Sequence, residues 1–90
     1  MIKVRIPTPL RPLTKGQGEV ESAAANIMDM IGSLDTAYPG LKNRLCDDKG
    51  DLRRFVNIYV NDEDVRFLDG LGTTLPSGAQ VSIIPAVAGG

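Results

Sequence analysis

The residues best suited to chemistry stand at the C-terminus, where Gly89 and Gly90 follow Pro85 and three small residues. Because glycine has no Cβ, such an ending can pass in extended form through a narrow channel and bring its carboxylate into the active site of another protein. The residues after Ile84 reach roughly 20 Å when extended. From the residues alone, this ending fits a terminal carboxylate that reacts on a partner and fits a frayed terminus or a cloning remnant equally well.

The rest of the chain offers few groups for catalysis. Histidine is absent, so the commonest general base and the commonest zinc ligand are both missing. Cys46 is the single cysteine, and without a histidine to lower its pKa we interpret it as an ordinary small residue in a loop. Two acidic groups, 62–64 and 47–51, lack the spacing and central glycine of a calcium loop and are interpreted as solvated turns. An independent enzyme is therefore not expected.

Size and charge narrow the remaining classes of function. The chain has 90 residues, 42% hydrophobic and 23% charged, which is typical of one small globular domain. Ten basic against eleven acidic side chains give a net charge of −1, so a dedicated nucleic-acid binder is not expected. The sequence lacks the apolar core of a signal peptide and has no apolar run that could span a bilayer. We expect a cytoplasmic protein without a membrane partner.

The elements that must position the C-terminus follow from hydrophobic spacing. Period-two alternation predicts strands over 2–6, 19–21, 55–60, 65–67 and 81–84. The clearest helix begins after Asn26, which can cap it, carries Asp29 in its first turn, and ends before Pro39. A single helical turn is predicted over 41–45, and loops over 7–18 and 68–78.

Two hairpin-like elements around one amphipathic helix predict an α+β domain, in which a mixed sheet packs on one main helix. The connection through the helix would leave the first and last strands central and parallel, which is the β-grasp arrangement of ubiquitin. We therefore divide the chain into a β-grasp domain over 1–85 and a flexible tail over 86–90 that ends in Gly-Gly. The predicted core consists of Ile2, Val4, Ile6, Ile27, Ile31, Leu34, Val56, Ile58, Val81 and Ile83.

Two stretches carry a resemblance to a known family: 54–67, which reads RFVNIYVNDEDVRF, and 83–90, which reads IIPAVAGG. Together with the order of elements, they resemble the ubiquitin-like sulfur carriers (the MoaD/ThiS family), which include the small subunit of molybdopterin synthase and the thiamine-pathway carrier. The resemblance covers essentially the whole chain. The two stretches are closest to those of the carriers that deliver sulfur to a cysteine synthase. Ala86 points the same way, because it follows Pro85 where the molybdopterin subunit often has a second proline.

The resemblance implies a carrier of sulfur that is a cosubstrate of partner enzymes. An adenylyltransferase of the ThiF/MoeB type would use ATP and Mg²⁺ to adenylate the carboxylate of Gly90, which follows Gly89, and sulfur would then replace AMP to leave a thiocarboxylate. The implied acceptor is a cysteine synthase that depends on pyridoxal phosphate (PLP), and a JAMM-type metalloprotease would release the product. The large subunit of molybdopterin synthase is the alternative acceptor, and a ubiquitin-like protein modifier is a further alternative. No cofactor or metal is expected to bind this chain itself.

The fold must supply the surface that docks on such partners. If the apolar residues of the strands face the helix, the opposite face presents Ile84 beside Tyr59, with Arg5 on a basic rim. The expected partner-binding residues are Arg5, Tyr59, Phe67, Ile84, Ala86, Val87 and Ala88. Isolated exposed apolar residues are also common on surfaces that bind no partner.

Overall fold

The predicted alternation of buried and exposed residues is found in the strands of the computed structural model, which describes residues 1–85. The predicted tail over 86–90 lies outside the described residues. The strands are β1 (Ile2–Arg5), β2 (Glu19–Ser22), β3 (Val56–Val60), β4 (Glu63–Asp64) and β5 (Gln80–Pro85). The α-helices are α1 (Ile27–Ala37) and α2 (Leu41–Leu45), and 3₁₀-helices cover Thr8–Thr14, Val65–Phe67 and Gly70–Gly72.

The five strands form one mixed sheet in the order β2-β1-β5-β3-β4. β1 and β5 are parallel neighbours, and every other pairing is antiparallel. A helical crossover between β1 and β5 is what a parallel pair requires, because a short hairpin can join only antiparallel strands. The predicted β-grasp arrangement, with the first and last strands adjacent and parallel, is confirmed.

One apolar cluster joins α1 to the inward side of the sheet. All ten residues of the predicted core are buried in it. The side chain of Asn26 caps α1 as predicted, since its Oδ1 accepts a hydrogen bond from the Asp29 N–H at 2.8 Å. Further buried apolar residues come from the connections and from the second helix; among them are Leu10, Leu41, Leu45, Val65 and Leu75.

The predicted return strand over 65–67 is wrong, because this segment is a 3₁₀-helix. The chain reverses directly after β3, where Asn61 and Asp62 adopt positive φ, so pairing resumes at once in the two residues of β4. The Asp64 carboxylate then accepts a hydrogen bond from the Arg66 N–H at 2.8 Å, which caps the 3₁₀-helix and ends the strand. The short return strand therefore lies two residues earlier than predicted.

The predicted loops contain short helices. Pro9 is accommodated in the first turn of the 3₁₀-helix Thr8–Thr14, where its missing N–H costs no hydrogen bond, and Lys15 ends that helix in the left-handed region. The predicted loop over 68–78 includes the 3₁₀-helix Gly70–Gly72. Within residues 1–85, none of the helices combines the length and the apolar character needed to span a membrane.

Candidate functional site

The end of β5 brings the described chain to the outer face of the sheet, which is the face away from α1. Val81 and Ile83 point into the core, so the alternation of the strand turns Ile84 outward, where 49% of its surface is exposed. A large apolar side chain in water immediately before the predicted tail is the first feature of a candidate docking surface.

The backbone ladder between β3 and β5 extends to this point. The Asn61 N–H donates to the Gln80 carbonyl oxygen at 2.9 Å, which marks a hydrogen-bonded pair. Bonded and non-bonded pairs alternate along an antiparallel ladder, so Asn57 and Ile84, which lie opposite each other, also form a bonded pair. Ile84 is therefore held by β3 through its backbone while its side chain remains exposed.

Three of the predicted partner-binding residues share this outer face. Arg5 and Tyr59 both pair with Ser82, from the two sides of β5, and Ile84 lies one step further along the strand. Tyr59 is half-buried, and Arg5 and Ile84 are exposed. The structure thus brings Arg5, Tyr59 and Ile84 together on one side of the sheet.

The basic rim expected on β1 is balanced by β2. Lys3 lies directly opposite Glu21, and Arg5 lies directly opposite Glu19. Directly opposed residues of an antiparallel pair point to the same face and are close enough for their charges to interact. The rim consequently carries alternating charges of both signs, and its acidic half was not predicted because the sequence pattern alone assigned no register to β2.

Two phenylalanines in the segments that flank β3 and β4 are exposed and are grouped with Tyr59 and Ile84 as candidates for docking. Phe67, a predicted partner-binding residue, follows Arg66 in the 3₁₀-helix after β4 and is 87% exposed. Phe55 is 50% exposed and directly precedes β3, in a turn closed by the hydrogen bond from the Val56 N–H to the Arg53 carbonyl oxygen at 3.0 Å. Phe55 was not among the predicted partner-binding residues, although its place next to β3 in the sequence was a signal for it. We call Phe55, Tyr59, Phe67 and Ile84 the tail-root surface.

A guanidinium lies beside the tail-root surface. Arg66 Nη1 donates to the side-chain oxygen of Asn57, and Nη2 donates to the carbonyl oxygens of Arg53 and Val56, each at 2.8 Å. Sequence spacing gives no signal for these contacts, because they depend on where the chain turns after β4. The residue opposite Ile84 is therefore contacted by a side chain from a different segment.

Cys46 lies apart from this surface, at the end of α2. It follows the last residue of α2, outside the named helices and strands, as expected of a loop residue. Its burial was not predicted: it is 4% exposed and belongs to the apolar core. Burial raises the pKa of the Cys46 thiol, and the positive charge of Lys42 opposes that rise only in part. A protonated, buried thiol is a poor nucleophile, so the arrangement does not favour chemistry at Cys46.

The acidic group around Asp47 organises its own loop. Asp47 Oδ1 accepts hydrogen bonds from the backbone N–H groups of Lys49 at 2.9 Å and Asp51 at 3.1 Å. In the part of the chain that the structure describes, His, Cys, Asp and Glu side chains form no group of three or more that could hold a metal ion. Of the remaining predicted site residues, Ala86, Val87, Ala88, Gly89 and Gly90 lie outside that part.

Comparisons with known proteins converge on one family. The sequence model of the ThiS family matches residues 4–90. The sulfur carrier protein CysO of Mycobacterium tuberculosis is 50% identical over 91 residues, which cover 99% of this chain and 98% of the relative. The family match includes β3, β5 and the Gly-Gly ending of the sequence.

Solved structures agree with the sequence matches. A chain in the crystal structure of the BexX/CysO complex of Amycolatopsis orientalis superposes with a TM-score of 0.94 at 43% identity, and all of both chains is covered. Small archaeal modifier protein 1 of Methanosarcina acetivorans superposes with a TM-score of 0.83 at 32% identity, covering 99% of this chain and 95% of the other. The fold is thus shared with a carrier and with a modifier.

Proposed function

Since the chain belongs to the ThiS family and is a homologue of sulfur carrier protein CysO, we propose that Gly90 is the residue that carries the sulfur, as a C-terminal thiocarboxylate. The observation that supports this most is the family match, which runs through residue 90 and therefore includes Gly89 and Gly90. In this proposal the chain is a cosubstrate that partner enzymes modify, and it performs no catalysis of its own.

The chemistry at Gly90 requires an activating partner. A C-terminal carboxylate has an ordinary pKa of about 3.5 and is ionised at neutral pH, so it is a poor electrophile. A ThiF/MoeB-type adenylyltransferase would form a mixed anhydride between the carboxylate and AMP, with release of pyrophosphate from ATP. Hydrosulfide then attacks the carbonyl carbon and expels AMP, which leaves the thiocarboxylate. ATP and Mg²⁺ belong to that partner.

We propose the tail-root surface as the docking site for this partner. It combines two exposed phenylalanines with Ile84, and exposed aromatic and apolar side chains of this kind are typical anchors of interfaces. Ile84 is also fixed by a backbone pair with β3, so its position near the end of β5 is defined. Docking here would place the tail over the partner while the domain remains outside its active site.

The proposed acceptor is a PLP-dependent cysteine synthase. Support comes from the sequence resemblance over 54–67 and from the similarity to a carrier named CysO over the full chain. The thiocarboxylate sulfur would attack an unsaturated acceptor on that enzyme, and the amino acid formed would stay attached to Gly90 until a JAMM-type metalloprotease released it. The large subunit of molybdopterin synthase is the competing acceptor.

A two-step assay tests this function. The first step measures exchange of labelled pyrophosphate into ATP by the adenylyltransferase, which should require the intact chain and should be lost when Gly90 is amidated. The second step incubates the thiocarboxylate form with the cysteine synthase and its activated serine substrate. A cysteine residue added at Gly90 supports the proposal, and exchange that continues with the amidated chain contradicts it.

Protein modification is a second candidate function. The observation that favours it is the structural match to small archaeal modifier protein 1 at 32% identity. A modifier uses the same adenylated carboxylate but transfers it to a lysine of another protein, with loss of AMP. Antibody detection of a covalent ladder in cells, absent when Gly90 is deleted, would support modification over sulfur transfer to a small acceptor.

A further inference from the structure

The edge of β3 next to β4 is left open at the end where β5 leads to the tail. β4 has only two residues, which pair with Tyr59 and Val60, so no strand covers the start of β3 on that side within residues 1–85. Because Asn57 bonds to β5, the carbonyl group of its neighbour Val56 points the other way, toward the open edge. An uncovered edge of this kind leaves backbone acceptors without a strand partner.

Arg66 occupies the place of the missing strand. Its Nη2 donates to the Val56 carbonyl oxygen at 2.8 Å, and it also reaches the carbonyl oxygens of Arg53 at 2.8 Å and Arg54 at 3.3 Å. Its Nη1 donates to the side chain of Asn57. One guanidinium thus ties the segment that enters β3 to the 3₁₀-helix that follows β4.

The contacts of Arg66 require a guanidinium group, and the ammonium group of a lysine could not make all of them. Its donors form a rigid planar fork that can serve several acceptors at once, and hydrogen bonds from a charged donor are stronger than those between neutral groups. The backbone of Arg66 is itself fixed, since its N–H is bound by the Asp64 carboxylate. The fork is therefore held from both ends of the side chain.

We propose that Arg66 is a positioning residue that holds the start of β3 against β5 and thereby fixes Ile84, the last residue with a bonded backbone pair before the tail. The inference rests on the proposed function in one respect only, namely that the carboxylate at the end of the tail reacts on a partner. With the root of the tail fixed, the carboxylate leaves the docked domain in a reproducible direction. A loosened root would allow the domain to dock while fewer complexes place the carboxylate productively.

Amide hydrogen exchange on the carrier alone tests the structural half of the proposal. In Arg66→Ala and Arg66→Lys, the Ile84 amide should exchange about tenfold faster than in the parent, as expected for loss of supporting hydrogen bonds. The Ser82 amide, which bonds to Tyr59 in the same ladder, serves as the internal reference and should change much less. Equal acceleration of both amides, or no acceleration at Ile84, overturns the proposal.

Steady-state kinetics with the adenylyltransferase test the functional half. Both Arg66 variants should lower kcat by about tenfold and change KM for the carrier by less than about threefold, because the docking side chains remain while alignment is lost. Val20→Ala is the matched control, since it removes buried volume in β2, away from the tail root, and should leave kcat unchanged.

The kinetic outcomes separate a positioning role from two other roles. If Arg66→Ala raises KM and Arg66→Lys has the KM of the parent, the positive charge contacts the partner, and the proposal is overturned. A fall in kcat shared by Val20→Ala would mean a general loss of stability, and it would overturn the proposal as well. If the parent carrier supports no turnover, the proposed function fails, while the exchange experiment still decides the role of Arg66 within the fold.

Discussion

Pro85 lies opposite Val56 in the ladder between β5 and β3, at a pair that exchanges no backbone hydrogen bonds. A proline therefore removes no bond from this ladder, although it lacks an N–H. Its nitrogen faces the side of β1, and β1 has already ended at Arg5, opposite Ser82. Proline can thus stand at the last position of β5 without weakening the pairing that holds Ile84.

The core assignment predicts a large cost for truncating Ile58. This side chain is fully buried and faces Ile83 across the sheet. Ile58→Ala should lower the free energy of unfolding by about 2–5 kcal/mol, through lost burial and the cavity left behind. The matched control is Met28→Ala on the exposed side of α1, where a change below about 0.5 kcal/mol is expected. Urea denaturation measures both, and equal losses would contradict the assignment.

The docking proposal predicts that Ile84→Asp weakens binding to the adenylyltransferase by about tenfold or more, because a charge would enter an apolar contact. The fold should persist, since the side chain is exposed. Gln80→Asp is the control, on the same strand and the same face but at the end away from the tail. Titration calorimetry measures both dissociation constants. Equal weakening by the two substitutions, or by neither, would remove Ile84 from the interface.

The buried thiol predicts a pH dependence of stability. Because burial raises the pKa of Cys46 above that of the unfolded chain, the folded protein retains this proton when the unfolded chain has lost it. Stability from this source is complete below about pH 8.5, the ordinary thiol pKa, and falls as the pH rises through the folded pKa. The difference in unfolding free energy between the parent and Cys46→Ala should therefore shrink from neutral to alkaline pH. A constant difference would show that burial does not perturb the thiol.

The tail predicts a kinetic penalty for added bulk next to the reactive carboxylate. In Gly89→Val the carboxylate remains, but a β-branched side chain restricts the backbone and crowds a narrow channel. We expect kcat/KM for adenylation to fall by about tenfold or more, a cost typical of misplaced reacting groups. Gly72→Val is the control, since a Cβ added there comes within 4 Å of no atom beyond its own chain neighbours and the backbone of its own helix. Unchanged adenylation of the Gly89 variant would argue against a narrow channel.

The strands and the main helix were predictable from the sequence, because the spacing of apolar residues shows which face of each element is buried. The alternation around Ile58 and the cap at Asn26 both follow from neighbouring residues alone, and the structure confirms them. The burial of Cys46 was not predictable, because its polar sequence neighbours conceal a core position at the end of α2. The contacts of Arg66 were equally out of reach, since they join segments that only the tertiary fold brings together.

The turn after β3 shows a further limit. The polar pair Asn61 and Asp62 indicated a reversal, but its tightness depends on both residues adopting positive φ, which side-chain patterns do not specify. Because the turn has only two residues, the return strand lies earlier in the chain than predicted, and Val65 is buried in the following 3₁₀-helix. The register of β2 was not predicted either, because side-chain patterns do not specify how two strands pair. The acidic half of the rim was therefore missed.

Intact-mass spectrometry after incubation with the adenylyltransferase, ATP and sulfide tests the role of Gly90 most directly. We predict that the protein gains the mass difference between sulfur and oxygen, and that fragmentation locates the gain at Gly90. Deleting Gly90 should abolish the gain while the thermal unfolding of the domain stays unchanged, because the described strands, helices and buried core residues all come from residues 2–85. A gain located at Cys46, or a gain that survives the deletion, would contradict the assignment of the sulfur to Gly90.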